Sequence, residues 1–166
     1  MVLAFFLLGI LCVYSYFLYP LLLKLVPAQA GSAGPAPGEA DLPAISLIIT
    51  VHNEAGRIEE KLKNTLAIEY PRDRLEIIVA SDFSTDETED IVLSYADRGI
   101  RLVRADERKG KEYAQLCGIR DSSGDILVFS DVATMIPAKA LRVLAGKFAD
   151  PAIGAVSSED RFISND

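Results

Sequence analysis

The apolar positions fall into two regimes. Residues 2–23 run without a single charged side chain. From residue 44 onward, short apolar runs alternate with amphipathic stretches. Residues 44–51 form a nearly continuous apolar run, the pattern of a strand buried on both faces. After it, Ile58, Leu62 and Leu66 recur at helical spacing, with Asn53 as a candidate cap. Pro71 then bars further helix. Residues 75–80 read as a second strand. Ser84 and Glu87 have capping-box spacing for a helix reaching Tyr95. A third strand is expected over 100–103 and a helix over 111–120 after Gly110. A fourth strand is expected over 126–129. Pro137 suits the first turn of a helix bearing Leu141, Leu144, Ala145 and Phe148. Residues 153–156 read as a short fifth strand. Strands alternating with helices predict an α/β fold: a Rossmann-like, mainly parallel sheet with helices on both faces.

The first regime has a separate meaning. As a helix, its 22 uncharged residues would span about 33 Å at about 1.5 Å per residue, against a hydrocarbon core of about 30 Å. Ala28-Gln29-Ala30 resembles a signal-peptidase site, but no basic segment precedes the apolar run, and the run exceeds a usual signal core. A transmembrane anchor over 1–26 is therefore expected, with Tyr14, Tyr16 and Tyr19 suited to the lipid–water interface. Lys24, on the C-terminal side, favours a cytoplasmic domain. Residues 27–43, rich in Pro, Gly, Ala and Ser, read as a linker, leaving 44–166 as the folded domain.

Charge narrows the partners. Lys24 and Glu39 cancel within the first forty residues, so the net charge of −7 belongs to the remainder. An acidic domain lacks the basic stripe that nucleic-acid binding requires. His52 is the only histidine, and two cysteines, Cys12 and Cys117, imply neither a disulfide framework nor a Cys/His metal cluster.

The candidate chemistry gathers after the strands. In open α/β sheets, ligands bind beyond the carboxyl ends of the strands. Strand one runs into His52-Asn53-Glu54 and strand two into Ser81-Asp82-Phe83-Ser84-Thr85-Asp86. A carboxylate there can accept hydrogen bonds from a ribose hydroxyl or a base N–H. Asp86 reads as a helix-start residue. Lys109-Gly110-Lys111 precedes a helix, where backbone N–H groups, the helix dipole and an ammonium favour a diphosphate. Strand four ends at Ser130-Asp131.

Taken in order, these segments resemble family 2 glycosyltransferases. The resemblance rests on Ile45-Ser46-Leu47-Ile48-Ile49-Thr50-Val51-His52-Asn53-Glu54, Ser81-Asp82-Phe83-Ser84-Thr85-Asp86-Glu87-Thr88, Lys109-Gly110-Lys111 and Ile126-Leu127-Val128-Phe129-Ser130-Asp131, and covers roughly residues 44–158. Tyr19-Pro20-Leu21-Leu22-Leu23 is similar to the membrane-bound members that build polysaccharides. The resemblance implies a GT-A fold binding a nucleoside-diphosphate sugar. Glu54 would lie near the ribose or base. Asp82 would accept the uracil N3–H, which points to a UDP-sugar and against cytosine, whose N3 is a lone pair. Lys109 and Lys111 would face the diphosphate. In the family an Asp-x-Asp motif ends strand four and binds a divalent cation. Here Asp131-Val132-Ala133 keeps one carboxylate, enough for Mg²⁺ or Mn²⁺ if substrate phosphates complete the shell. The small-residue run with an asparagine, frequent in the family after the Gly-Lys pair, is replaced by Glu112-Tyr113-Ala114-Gln115-Leu116.

An inverting transfer also needs a base for the acceptor hydroxyl. In the family that aspartate lies beyond the Asp-x-Asp strand, and nothing before Asp166 matches it. The expectation is thus an N-terminal donor half, acting on a glycan or lipid-linked acceptor in polysaccharide or cell-envelope synthesis. The alternative is a non-catalytic nucleotide-sugar-binding or assembly fragment tethered to the membrane. A nucleotidyltransferase of related fold would instead release pyrophosphate.

Overall fold

A computed structural model describes residues 2–25, 38 and 41–158, without the side chain of Cys12. The chain falls into two compact units, one holding the N-terminal helix and the other the sheet. Most of the expected linker, including Ala28-Gln29-Ala30, lies outside the described residues.

In the first unit, α1 (Val2–Leu25) is a 24-residue helix whose most apolar 18-residue stretch has mean hydropathy 2.2. Its length and composition suffice to cross a bilayer. A π-helical segment over Tyr14–Leu18 ends two residues before Pro20, whose ring nitrogen offers no N–H to a regular ladder.

The second unit is a parallel four-stranded sheet in the order β3-β2-β1-β4. Its strands are β1 (Ile45–Val51), β2 (Leu75–Ser81), β3 (Ile100–Arg104) and β4 (Ile126–Asp131). The intervening helices are α2 (Ala55–Leu66), α3 (Thr88–Leu93), α4 (Lys111–Arg120) and α5 (Ala140–Lys147). The chain builds outward from β1 to β3, then returns to place β4 on the other side of β1. That reversal makes a topological switch point between β1 and β4, where the carboxyl-end crevice of such sheets lies.

Alternation along the strands sorts the side chains onto two faces. Ile45, Leu47, Ile49 and Val51 pack with Ile58 and Leu62 of α2, Val92 of α3, and Leu141 and Ala145 of α5 in the larger core. Ile48, Ile78 and Ala80 pack with Ala114 of α4 in a smaller one. Gly118 lets α4 approach the sheet: a Cβ there would lie 2.9 Å from the Ile48 side chain.

Three local expectations are corrected. The helix expected from Ser84 begins only at Thr88. Ser84 does not cap it, because its hydroxyl accepts the Asn53 N–H, while Asp86 accepts the Thr88 N–H instead. The helix expected from Pro137 begins at Ala140, after a turn in which Ala140 N–H donates to the Pro137 carbonyl. Residues 153–158 form no strand. An apolar run becomes a strand only when a neighbour completes its ladder, and four residues cannot specify that neighbour.

Candidate donor site

Two loops at the carboxyl edge of the sheet are tied together. Asn53 follows β1 with φ of 53°, and Phe83 follows β2 with φ of 56°. Asn53 was expected to cap α2. Its Oδ1 instead accepts the Thr85 N–H at 2.8 Å, and Glu54 occupies the cap position without a side-chain cap bond. The Glu54 N–H donates to Thr88 Oγ1. Asp86 bridges both helices, accepting from Ala55 N–H of α2 and Thr88 N–H of α3. These hydrogen bonds hold its carboxyl below the ordinary range, that of Thr88 Oγ1 foremost. The Glu54 carboxylate has no hydrogen-bond partner among the described residues and is partly exposed at the loop edge.

Asp82 is 5 % exposed. Its Oδ1 accepts the backbone N–H groups of Lys109 at 3.1 Å and Gly110 at 3.0 Å, and its Oδ2 also lies 3.1 Å from the Gly110 nitrogen. His52 Nδ1 donates to the Asp82 carbonyl at 2.8 Å. Asp82 thus fixes the loop that opens α4, a role not legible in the sequence because the two segments lie 27 and 28 positions apart. Gly110, with φ of 92°, makes the left-handed entry into α4 at low steric cost.

The two lysines diverge. Lys109 turns back onto its own loop, pairing with Glu107 and lying 4.6 Å from the Tyr113 ring centre. Lys111 reaches across to β4, its Nζ 2.6 Å from Asp131 Oδ1. Both partners of that pair remain more than half exposed. The structure therefore brings Lys111 and Asp131 together and leaves Lys109 aside.

A fourth element of the site escaped the sequence reading. Lys61 of α2 is fully buried. Its ammonium donates to Ser130 Oγ at 2.7 Å and to the Thr134 carbonyl. Burial pushes its pKa down from 10.5 to about 8, opposed by the nearby Asp131 carboxylate. One turn on, Asn64 exchanges two hydrogen bonds with the backbone of Ile136, at 2.9 and 2.8 Å. Together they strap the loop after Asp131 to α2. The available signal was a lysine three residues after Ile58 and four before Thr65, on the helix face that turns inward.

The residues after β4 bear on the metal expectation. Val132 is buried in the larger core and Ala133 has no ligand atom on its side chain. Among the described residues, no group of three or more His, Cys, Asp or Glu side chains could hold a metal ion. Asp131 alone fits a divalent cation only as one ligand beside substrate phosphates and water.

Comparison with known proteins places this geometry. The sequence model of Glycosyl transferase family 2 matches residues 46–165. The chain belongs to that family. It is 35 % identical over 130 residues to the probable glycosyltransferase YdaM of Bacillus subtilis, covering 75 % of this chain and 31 % of the relative. It is 30 % identical over 123 residues to the poly-beta-1,6-N-acetyl-D-glucosamine synthase of Staphylococcus aureus, covering 73 % and 29 %. The chain thus spans about a third of the length of these curated relatives. Among solved structures, the mannosyltransferase PcManGT of Pyrobaculum calidifontis, in complex with GDP-Man and Mn²⁺, superposes with TM-score 0.75 at 34 % identity, over 92 % of this chain and 46 % of that one. Staphylococcus aureus TarS in complex with UDP-GlcNAc shares the fold, with TM-score 0.56 at 24 % identity, over 61 % and 30 %.

Proposed function

We propose that this chain is the donor-binding part of a membrane-anchored, inverting family 2 glycosyltransferase. It takes a sugar from a nucleoside-diphosphate sugar to a glycan or lipid-linked acceptor in cell-envelope polysaccharide synthesis. The observation that carries the reading is the convergence of Asp82, the Gly110–Lys111 helix entry and Asp131 at the carboxyl edge of β1, β2 and β4. A switch-point crevice is where such a sheet holds a nucleotide.

In this reading Asp82 receives the base. Its carboxylate has about four acceptor positions, and the two loop N–H groups leave room for another donor. Uracil offers N3–H, so a UDP-sugar fits, and guanine offers a comparable N–H edge; cytosine does not. Glu54 lies on the ribose side. The N-terminus of α4 and Lys111 face the diphosphate, with Lys109 at the margin. Asp131 would hold Mg²⁺ or Mn²⁺ jointly with the donor phosphates, and the cation would neutralise charge on the leaving nucleoside diphosphate. The helix Val2–Leu25 supports membrane attachment, and Lys24 at its end supports a cytoplasmic domain.

Calorimetric titration of the purified chain with UDP and GDP, each with Mn²⁺, tests the reading. Binding lost in Asp82→Ala is expected; unchanged binding overturns the base contact. A second reading, a non-catalytic binding or assembly module, is favoured by Ala133 at the second metal position. Sugar turnover by the 166-residue chain excludes it.

A further inference from the structure

Phe83 stands out on the site edge. It sits between Asp82 and Ser84 with φ of 56°, a left-handed conformation that is a genuine outlier for a bulky side chain. Such strain persists only where the surroundings over-determine it, and it clusters at ligand sites. Core packing does not account for it, because Phe83 is half-buried and belongs to neither apolar core. One face of its ring is covered by a charge. The Arg104 guanidinium lies 4.2 Å from the ring centre, and Arg104 Nε is fixed by Glu89 at 3.1 Å. Glu89 in turn accepts from Ser81 Oγ at 2.6 Å. The ring is therefore positioned by a chain of contacts running along the ends of β2 and β3, next to the carboxylate assigned to the base.

We infer that Phe83 is a donor-binding residue that stacks on the donor nucleobase. This inference rests on the donor-site reading above. A carboxylate reads a base in its plane, through N–H groups; an aromatic ring reads the flat face. Asp82 and Phe83, adjacent in one loop, can supply the two kinds of contact. Arg104 occupies one face of the ring and the base takes the other. Stacking tolerates any base, whereas the carboxylate discriminates, so Phe83 sets affinity for nucleosides as a class and Asp82 chooses among them.

The test compares ligands with and without a base. The full chain, its Phe83→Gly variant and its Phe83→Tyr variant are titrated in detergent with UDP, GDP and pyrophosphate, each with Mn²⁺, and their melting temperatures are recorded. Glycine adopts φ of this sign without strain, so Phe83→Gly is expected to melt no lower than wild type. It should bind UDP or GDP about tenfold more weakly, the size expected for losing one base–aromatic contact, with pyrophosphate affinity unchanged. Phe83→Tyr, which keeps the ring, should retain nucleotide affinity. Equal nucleotide affinity in Phe83→Gly overturns the inference. So does a parallel loss of pyrophosphate affinity, which would mark the ring as a loop support. A wild-type chain that binds pyrophosphate but neither nucleotide also overturns the inference while leaving the anion site intact. A wild-type chain that binds none of the three overturns the donor-site reading itself.

Discussion

Two aspartates end two strands of this sheet, and they live in different physical worlds. Asp82, after β2, is 5 % exposed and is held by two backbone N–H groups. Asp131, at the end of β4, is more than half exposed and pairs with the flexible Lys111 ammonium, with the buried Lys61 ammonium nearby. A buried carboxylate bonded to backbone has its charge satisfied by groups that cannot leave. An exposed carboxylate paired with a lysine can exchange that partner for another cation at little cost. Asp82 holds the α4 entry, and in the proposed donor site it would also meet the base. Asp131 pairs with Lys111, and in the proposed donor site a divalent cation would compete with that ammonium.

Breaking Asp82 should do the most. Asp82→Ala leaves the Lys109 and Gly110 N–H groups without their acceptor and should cost about 2–3 kcal/mol in urea unfolding, along with nucleotide binding. A variant that loses binding at full stability would separate the two duties and refute the double role.

Lys61 comes next, because it fixes the ground on which Asp131 stands. Its pKa is lowered in the fold from 10.5 to about 8, so between those pH values the unfolded chain binds more protons than the native one. Stability from this group must then rise with pH across that window, by at most about 3 kcal/mol. The pH dependence of unfolding should flatten there in Lys61→Met relative to wild type. Identical slopes would mean that the ammonium is solvated in the native state.

Asp131→Asn should leave urea stability within about 0.5 kcal/mol, as for other exposed positions. It should also abolish the Mn²⁺-dependent part of nucleotide affinity, read by titration with and without EDTA. If stability falls as far as in Asp82→Ala, the contrast between the two aspartates collapses. The smallest effect belongs to the Lys111–Asp131 pair itself. A double-mutant cycle without ligand should give a coupling of about 0.2–1 kcal/mol that shrinks with salt.

Much of the fold was legible. The strands expected over 44–51, 75–80, 100–103 and 126–129 form within two residues of those bounds, and the alternation with helices dictates a parallel sheet. Asp82 and Asp131 were singled out from their places after strands, and Lys111 from its place at a helix start. Their partners were not legible, because each comes from a remote segment: Lys109 and Gly110 for Asp82, and Lys111 for Asp131. Lys61 itself was overlooked because a lysine in an amphipathic helix ordinarily points to water. Ser84 shows the converse error: the local capping pattern was present, but Asn53 of the neighbouring loop claimed its hydroxyl.

By itself, the sequence determined the order of the elements, the apolar N-terminal helix and the residue types at the strand ends. These follow from periodicity and backbone preference, which act over a few residues. Only the tertiary structure decided which charge is buried, which lysine meets Asp131, and that Phe83 is held in a left-handed turn beneath Arg104. Such outcomes depend on which distant groups compete for the same hydrogen bond or the same patch of water, and that competition is settled only when the strands have paired.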